Sequence, residues 1–122
     1  MTDAAVPTFG SVALDCPDPN ALAGFYARLL DWPVPEATDG EWVNLLPPGG
    51  GTALAFQRAA NFVAPTWPEP GVQQQLHIDF DVVDVDAAHD RAVALGARHL
   101  DTQPTFRVYA DPVGHPFCLC AG

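Results

Sequence analysis

The stretch "LHIDFDVVDVDAAHDRAVALGA", residues 76–97, contains a strand and a helix in succession. From Leu76 to Val82, apolar and polar residues alternate strictly. That is the period of a strand with one covered face. Leu76, Ile78, Phe80 and Val82 form one side, and His77, Asp79 and Asp81 the other. Asp84 then suits an N-cap, Asp86 a first helical turn and Gly96 a C-cap, so a helix is predicted over 84–95. Its apolar stripe is modest: Val85, Ala88, Ala92, Val93 and Leu95.

The same order occurs near the start of the chain. "FGSVALDC" alternates Val12, Leu14 and Cys16 against Ser11, Ala13 and Asp15. "DPNALAGFYARLL" follows, with Asp18 as N-cap, Pro19 at the first helical position and Leu22, Phe25, Tyr26 and Leu29 on the core face, which predicts a helix over 18–30. At an offset of sixty-six, Ser11 falls on His77, Asp15 on Asp81 and Asp18 on Asp84. Three strand candidates follow each helix, at 34–38, 41–46 and 52–58, then at 98–101, 105–110 and 115–120. Each half thus reads β-α-β-β-β, two copies of one unit. One domain over 8–121 is expected, with module one at 8–58, a proline-rich loop at 59–73 and module two at 74–121. A loop of that length suits a functional lid.

Composition removes several function classes. The 122 residues carry a formal charge of −10, with five arginines and no lysine. An acidic chain without a basic stripe does not suit nucleic acid, and a lysine Schiff base is excluded. The lone serine, Ser11, lacks a nucleophile-elbow setting. "PPGGG" at 47–51 reads as a hairpin turn, since no Lys-Ser/Thr follows it. Three cysteines without a C-x-x-C argue against a disulfide framework and a four-cysteine zinc site. No apolar run reaches membrane length, and nothing at the N-terminus resembles a signal peptide. A cytoplasmic protein that binds neither nucleic acid nor membrane is expected.

Three segments carry a resemblance: "LDCPDPNALAGFYARLLDW" at 14–32, residues 76–97, and "ADPVGHPFCLC" at 110–120. Together they resemble the vicinal oxygen chelate superfamily, which includes glyoxalases, extradiol dioxygenases and bleomycin-resistance proteins, and in particular its small glyoxalase-like domains. The resemblance implies an α+β fold of two β-α-β-β-β modules, paired into a curved mixed sheet that encloses a cup, with the helices outside. The modules would pair within one chain or swap between two copies of a homodimer. The polar sides of the strands would then face the cup.

A four-residue turn at 111–114 would set Arg107 opposite Cys118 and Val108 opposite Phe117. It would point Arg107, Tyr109, Pro116, Cys118 and Cys120 into the cup. Module one would add Trp42, Asn44, Ala53, Ala55 and Gln57.

The resemblance also implies a divalent metal held by the first and last strand of each module. Those places match Ser11, about Ala55, His77 and Cys118, of which only His77 keeps a usual ligand. No metal or other cofactor is therefore expected; if one is present, His77 and Cys118 are its first ligands. The expected function is a small-molecule-binding protein with an incomplete metal site, holding a hydrophobic or aromatic metabolite or drug. Trp42, Trp67 and Tyr109 would stack on it, while Asn44, Gln57, Arg107 and Cys118 complete the contact. The alternative is an enzyme: a lyase or isomerase with His77 as acid/base and Asp79 beside it, or a divalent-metal glyoxalase or dioxygenase type. An auxiliary domain serving a partner protein is a further reading. Taken singly, His77 also reads as a hydrogen-bonded wall residue, and Cys118 and Cys120 as small hydrophobes.

Overall fold

The computed structural model describes residues 4–121. The chain divides into two compact units, Met1–Ala59 and Ala60–Gly122, and each carries one mixed sheet and one helix. The α+β class follows directly.

In the first unit, β1 (Ser11–Cys16) leads into α1 (Pro19–Leu30), then β2 (Trp42–Leu45) and β3 (Ala53–Arg58). The sheet order is β1-β3-β2, parallel between β1 and β3 and antiparallel between β2 and β3. Asp18 starts α1, its carboxylate accepting from the Ala21 amide at 3.3 Å. Asp31 ends the helix in the left-handed region at φ 56°, which a short acidic side chain tolerates. The inner face of the helix buries Leu22, Phe25 and Tyr26. Tyr26 stacks on Phe56 of β3 with ring centroids 5.8 Å apart and meets Phe25 edge-on at 5.0 Å. Leu14, Val43, Leu45 and Phe56, each at most 1% exposed, complete this core.

The strand candidate at 34–38 is not a strand, so the first sheet has three members. Pro33 and Pro35 remove the amides a ladder needs. Thr38 bonds to the helix instead: its amide donates to Asn20 Oδ1 at 3.0 Å, and Asn20 Nδ2 donates to its carbonyl at 3.2 Å.

The second unit has β4 (Ile78–Val82), α2 (Val85–Leu95), β5 (Arg98–Thr102), β6 (Phe106–Ala110) and β7 (Pro116–Ala121), in sheet order β4-β7-β6-β5. Asp84 caps α2 through the Ala87 amide at 3.1 Å, and Gly96 closes it at φ 117°. Residues 59–73 form the expected loop. Thr66 organises it: the Thr66 amide donates to the Val72 carbonyl, and the Val72 amide to Thr66 Oγ1, both at 2.8 Å. The loop packs on the 111–115 turn. Phe62 lies 5.3 Å from the His115 ring, and a Cβ on Gly114 would come within 2.8 Å of Ala64 Cβ.

Candidate functional site on the second sheet

Parallel pairing of β4 with β7 sets Asp79 opposite Cys118 and Asp81 opposite Cys120. Partners in register share a face, so these four side chains stand in two rows. Ile78, Phe80, Phe117 and Leu119 occupy the other face, toward α2. The burial pattern follows the alternation read in the sequence, with Asp79 and Asp81 exposed between half-buried apolar neighbours. His77 precedes β4 by one residue, and its Nε2 lies 3.2 Å from Asp79 Oδ1. The donor atoms of His77, Asp79 and Cys118 all lie within 4.8 Å of one another.

Cys118 is 5% exposed. Burial, and then the neighbouring Asp79 carboxylate, push its thiol up to about 12. Cys120 is shifted the same way, again by burial first and then by Asp79 and Asp81. Both therefore remain thiols rather than thiolates near neutral pH. Among the described residues Cys16, Cys118 and Cys120 are all free of disulfides.

The expected placement of Arg107 and Tyr109 beside Cys118 needs correction. Ala110 pairs with Pro116, Tyr109 with Phe117, Val108 with Cys118 and Arg107 with Leu119. Both predicted ligand contacts thus stand on the helix side. Arg107 is hydrogen-bonded and ion-paired with Asp86 of α2. The Tyr109 hydroxyl lies 2.7 Å from His89 Nδ1, and its ring stacks on Phe117. The cause is one extra residue in the turn. The Asp111 amide donates to the His115 carbonyl, and Asp111 Oδ1 accepts from the amides of Val113 and His115. A one-residue slip turns a whole strand over. The signal was Gly114: at φ 104° it adds a left-handed residue after the turn. The residues missed on the Asp79 face are accordingly Val108 and Phe106, register partners of Cys118 and Cys120.

On the first sheet the expected face is present. Ser11, Ala13 and Asp15 pair with Ala53, Ala55 and Gln57, and Trp42 and Asn44 pair with Gln57 and Ala55. Trp42 Nε1 donates to Asn44 Oδ1 at 2.9 Å. Trp67 lies in the 59–73 loop, half-buried and on neither sheet. An open cleft of about 370 Å³ occurs elsewhere in the second unit, lined by Ala64, Pro65, Arg98 and Asp111 among others. Asp111 is committed to the turn's own amides, which leaves Arg98 as the cleft's charged group, while the polar row brings three titratable side chains together and is the better candidate.

Which residues fit a metal ion follows from the donors. His77, Asp79 and Cys118 supply an imidazole, a carboxylate and a sulfur, three donors from one module. The matching face of the first sheet presents Ser11, Ala13 and Ala55. The sequence expectation named His77 and Cys118 first, with Asp79 or Asp15 as substitutes lying two residues along from the family positions. Direct register with Cys118 brings Asp79 in as a third.

A family model for the glyoxalase-like domain matches residues 11–120. No curated protein matches the chain. Among solved structures, a glyoxalase-related enzyme from Fulvimarina pelagi is 22% identical, with a TM-score of 0.67 over 96% of this chain and 89% of that one. A fosfomycin resistance protein, FosX, from Mesorhizobium loti is 17% identical, with a TM-score of 0.69 over 96% and 93%. FosX from Listeria monocytogenes is 19% identical, with a TM-score of 0.68 over 96% and 94%. At these identities the structural likeness speaks for the fold. No helix among the described residues is long and apolar enough to cross a membrane. The match across both modules, with its two sheets and two capped helices, places this chain in the glyoxalase-like domain family.

Proposed function

We propose that this protein binds a small molecule on the polar face of its second sheet, with His77 and Asp79 as the anchor. The observation that carries this reading is the 3.2 Å contact between His77 and Asp79 beside the Cys118 thiol. Val108 and Pro116 stand on the same face, buried beneath the polar groups. A few convergent polar groups beside apolar ones are what a small-molecule site needs. The imidazole can donate to a carbonyl, carboxylate or phenolate, while Asp79 orients it. Two of the similar structures are fosfomycin resistance proteins, which supports a small molecule as the occupant. Three cysteines outside any disulfide suit a reducing compartment such as the cytoplasm.

A thermal-shift screen with small carbonyl, carboxylate and phenol compounds tests this, followed by calorimetry on the hits. His77→Ala should weaken a hit by at least about tenfold, the scale of one charged hydrogen bond. Arg107→Ala, on the opposite face, should leave it unchanged. Equal affinity in His77→Ala and wild type would refute the assignment.

The same contact favours a second reading. An imidazole held by a carboxylate is suited to general acid–base work, so a carbonyl-bearing hit would be turned over by proton transfer. Exchange of its α-proton in heavy water, followed by NMR, should require His77.

A further inference from the structure

We propose that the open cleft at the end of the second sheet is a separate binding site, for a small monocarboxylate with an apolar body. It lies wholly within the second unit and shares no residue with the row of His77, Asp79 and Cys118. It does not depend on the small-molecule reading of that row.

Three connections meet at the cleft. Gly96 ends α2 and leads into β5, whose first residue is Arg98. Asp111, Pro112 and Val113 belong to the turn between β6 and β7, and Ala64 and Pro65 to the 59–73 loop. Each connection is held by its own hydrogen bonds. The Gly96 amide donates to the Val93 carbonyl at 3.1 Å, and the Ala97 amide to the Ala92 carbonyl at 3.0 Å. Asp111 Oδ1 accepts from the Val113 and His115 amides within the turn, and Thr66 ties the loop to Val72. Loop and turn touch at Gly114, where an added Cβ would come within 2.8 Å of Ala64 Cβ. Walls set in advance lower the cost of binding. The volume, about 370 Å³, falls in the range of small-molecule pockets.

Charge decides what enters. Arg98 is exposed, and among the described residues its guanidinium has no hydrogen bond or ion pair, whereas Arg58 and Arg107 pair with Glu41 and Asp86. In a chain of net charge −10, an arginine without a carboxylate partner keeps its forked donors for an outside oxyanion. Asp111, the acid of the cleft, is 3% exposed and faces the turn's amides. The backbone adds no competing donor from the turn. The Val113 amide is engaged by Asp111 Oδ1 and the Gly114 amide by the Asp111 carbonyl, while Pro65 and Pro112 have no amide proton. Arg98 is therefore the anchor, and the proline rings and Val113 are the apolar walls. One guanidinium balances one negative charge. The carbonyl end of α2 and the Asp111 carboxylate both oppose a second, so a carboxylate is favoured over a phosphate dianion.

The test is an amide NMR titration of the full chain with sodium benzoate as the probe. Saturable shift changes should fall at residues 64, 96–98 and 113–114. Benzamide has the same shape without the charge and should bind at least about tenfold more weakly, the scale of a charged hydrogen bond. Inorganic phosphate should be weaker than benzoate as well. Arg98→Gln should weaken benzoate at least about tenfold, whereas Arg91→Gln, which removes a positive charge from exposed α2 surface of the same unit, should leave it unchanged. Arg98 is exposed, so its variant should keep the wild-type spectrum without ligand. No saturable shifts in the cleft, benzamide or phosphate binding as tightly as benzoate, unchanged affinity in Arg98→Gln, or an equal loss in Arg91→Gln would overturn the proposal. Shifts at 77–81 in place of the cleft would overturn it too and leave the polar-row reading standing, so the two fail separately.

Discussion

In the first module α1 buries Leu22, Phe25 and Tyr26, whereas α2 of the second buries only Ala92. At the offset that relates the modules, Leu22 falls on Ala88, Phe25 on Arg91 and Tyr26 on Ala92. Where the first helix fills space with large apolar groups, the second leaves it to the sheet. Tyr109 reaches up from β6, fully buried, and meets His89, while Arg107 meets Asp86. The first helix is therefore held by large apolar side chains, and the second by a smaller apolar contact with added polar ones. The outward faces differ in a parallel way. On the face away from its helix the first sheet carries Ser11, Ala13 and the buried Ala55, and the second His77, Asp79 and the buried Cys118. The first unit thus concentrates large apolar core residues, and the second titratable side chains on one strand face.

The largest expected effect is in the first core. Tyr26→Ala should cost about 3–5 kcal/mol, the range for a fully buried large aromatic, read as a shift in the chemical denaturation midpoint. A loss under about 1 kcal/mol would remove the contrast between the modules. The polar attachment of α2 is weaker by this account. Tyr109→Phe keeps the stacked ring and removes only the hydroxyl, which bonds His89 and Arg107, so about 1–2 kcal/mol should be lost.

A pH dependence sharpens the comparison further. The folded state holds the Cys118 proton up to about 12, against an ordinary value of 9.0. Burial likewise raises the Tyr109 phenol, partly opposed by its hydrogen bond with Arg107. Groups raised by folding contribute stability that is complete below their unfolded values and is lost as pH rises toward the folded ones. The protein should therefore lose stability from about pH 9 toward about 12, and Cys118→Ala should make that fall shallower. Denaturation midpoints across this range in both proteins provide the check.

Much of the fold was legible because local chemistry dictates it. Asp18, Asp84 and Gly96 occupy the caps their types predict, and the alternation at 76–82 names the covered face. Two features escaped for physical reasons. Pro33 and Pro35 break a segment whose pattern otherwise suggests a strand. At the 111–115 turn, Gly114 adds a residue that pattern counting omits, and every side chain of β6 changes face. The site was legible in part. His77, Asp79 and Cys118 stand out in the sequence, and the alternation already sets Asp79 beside His77, but the parallel register that sets Asp79 opposite Cys118 is encoded by no local pattern.

The division of labour between the two sheets is tested most directly by amide NMR with a carbonyl-bearing hit from the screen. The account predicts that the largest shift changes fall at residues 77–81 and 116–120, and that 11–15 and 53–57 stay nearly still. Changes concentrated at 11–15 and 53–57, with 77–81 unmoved, would contradict it.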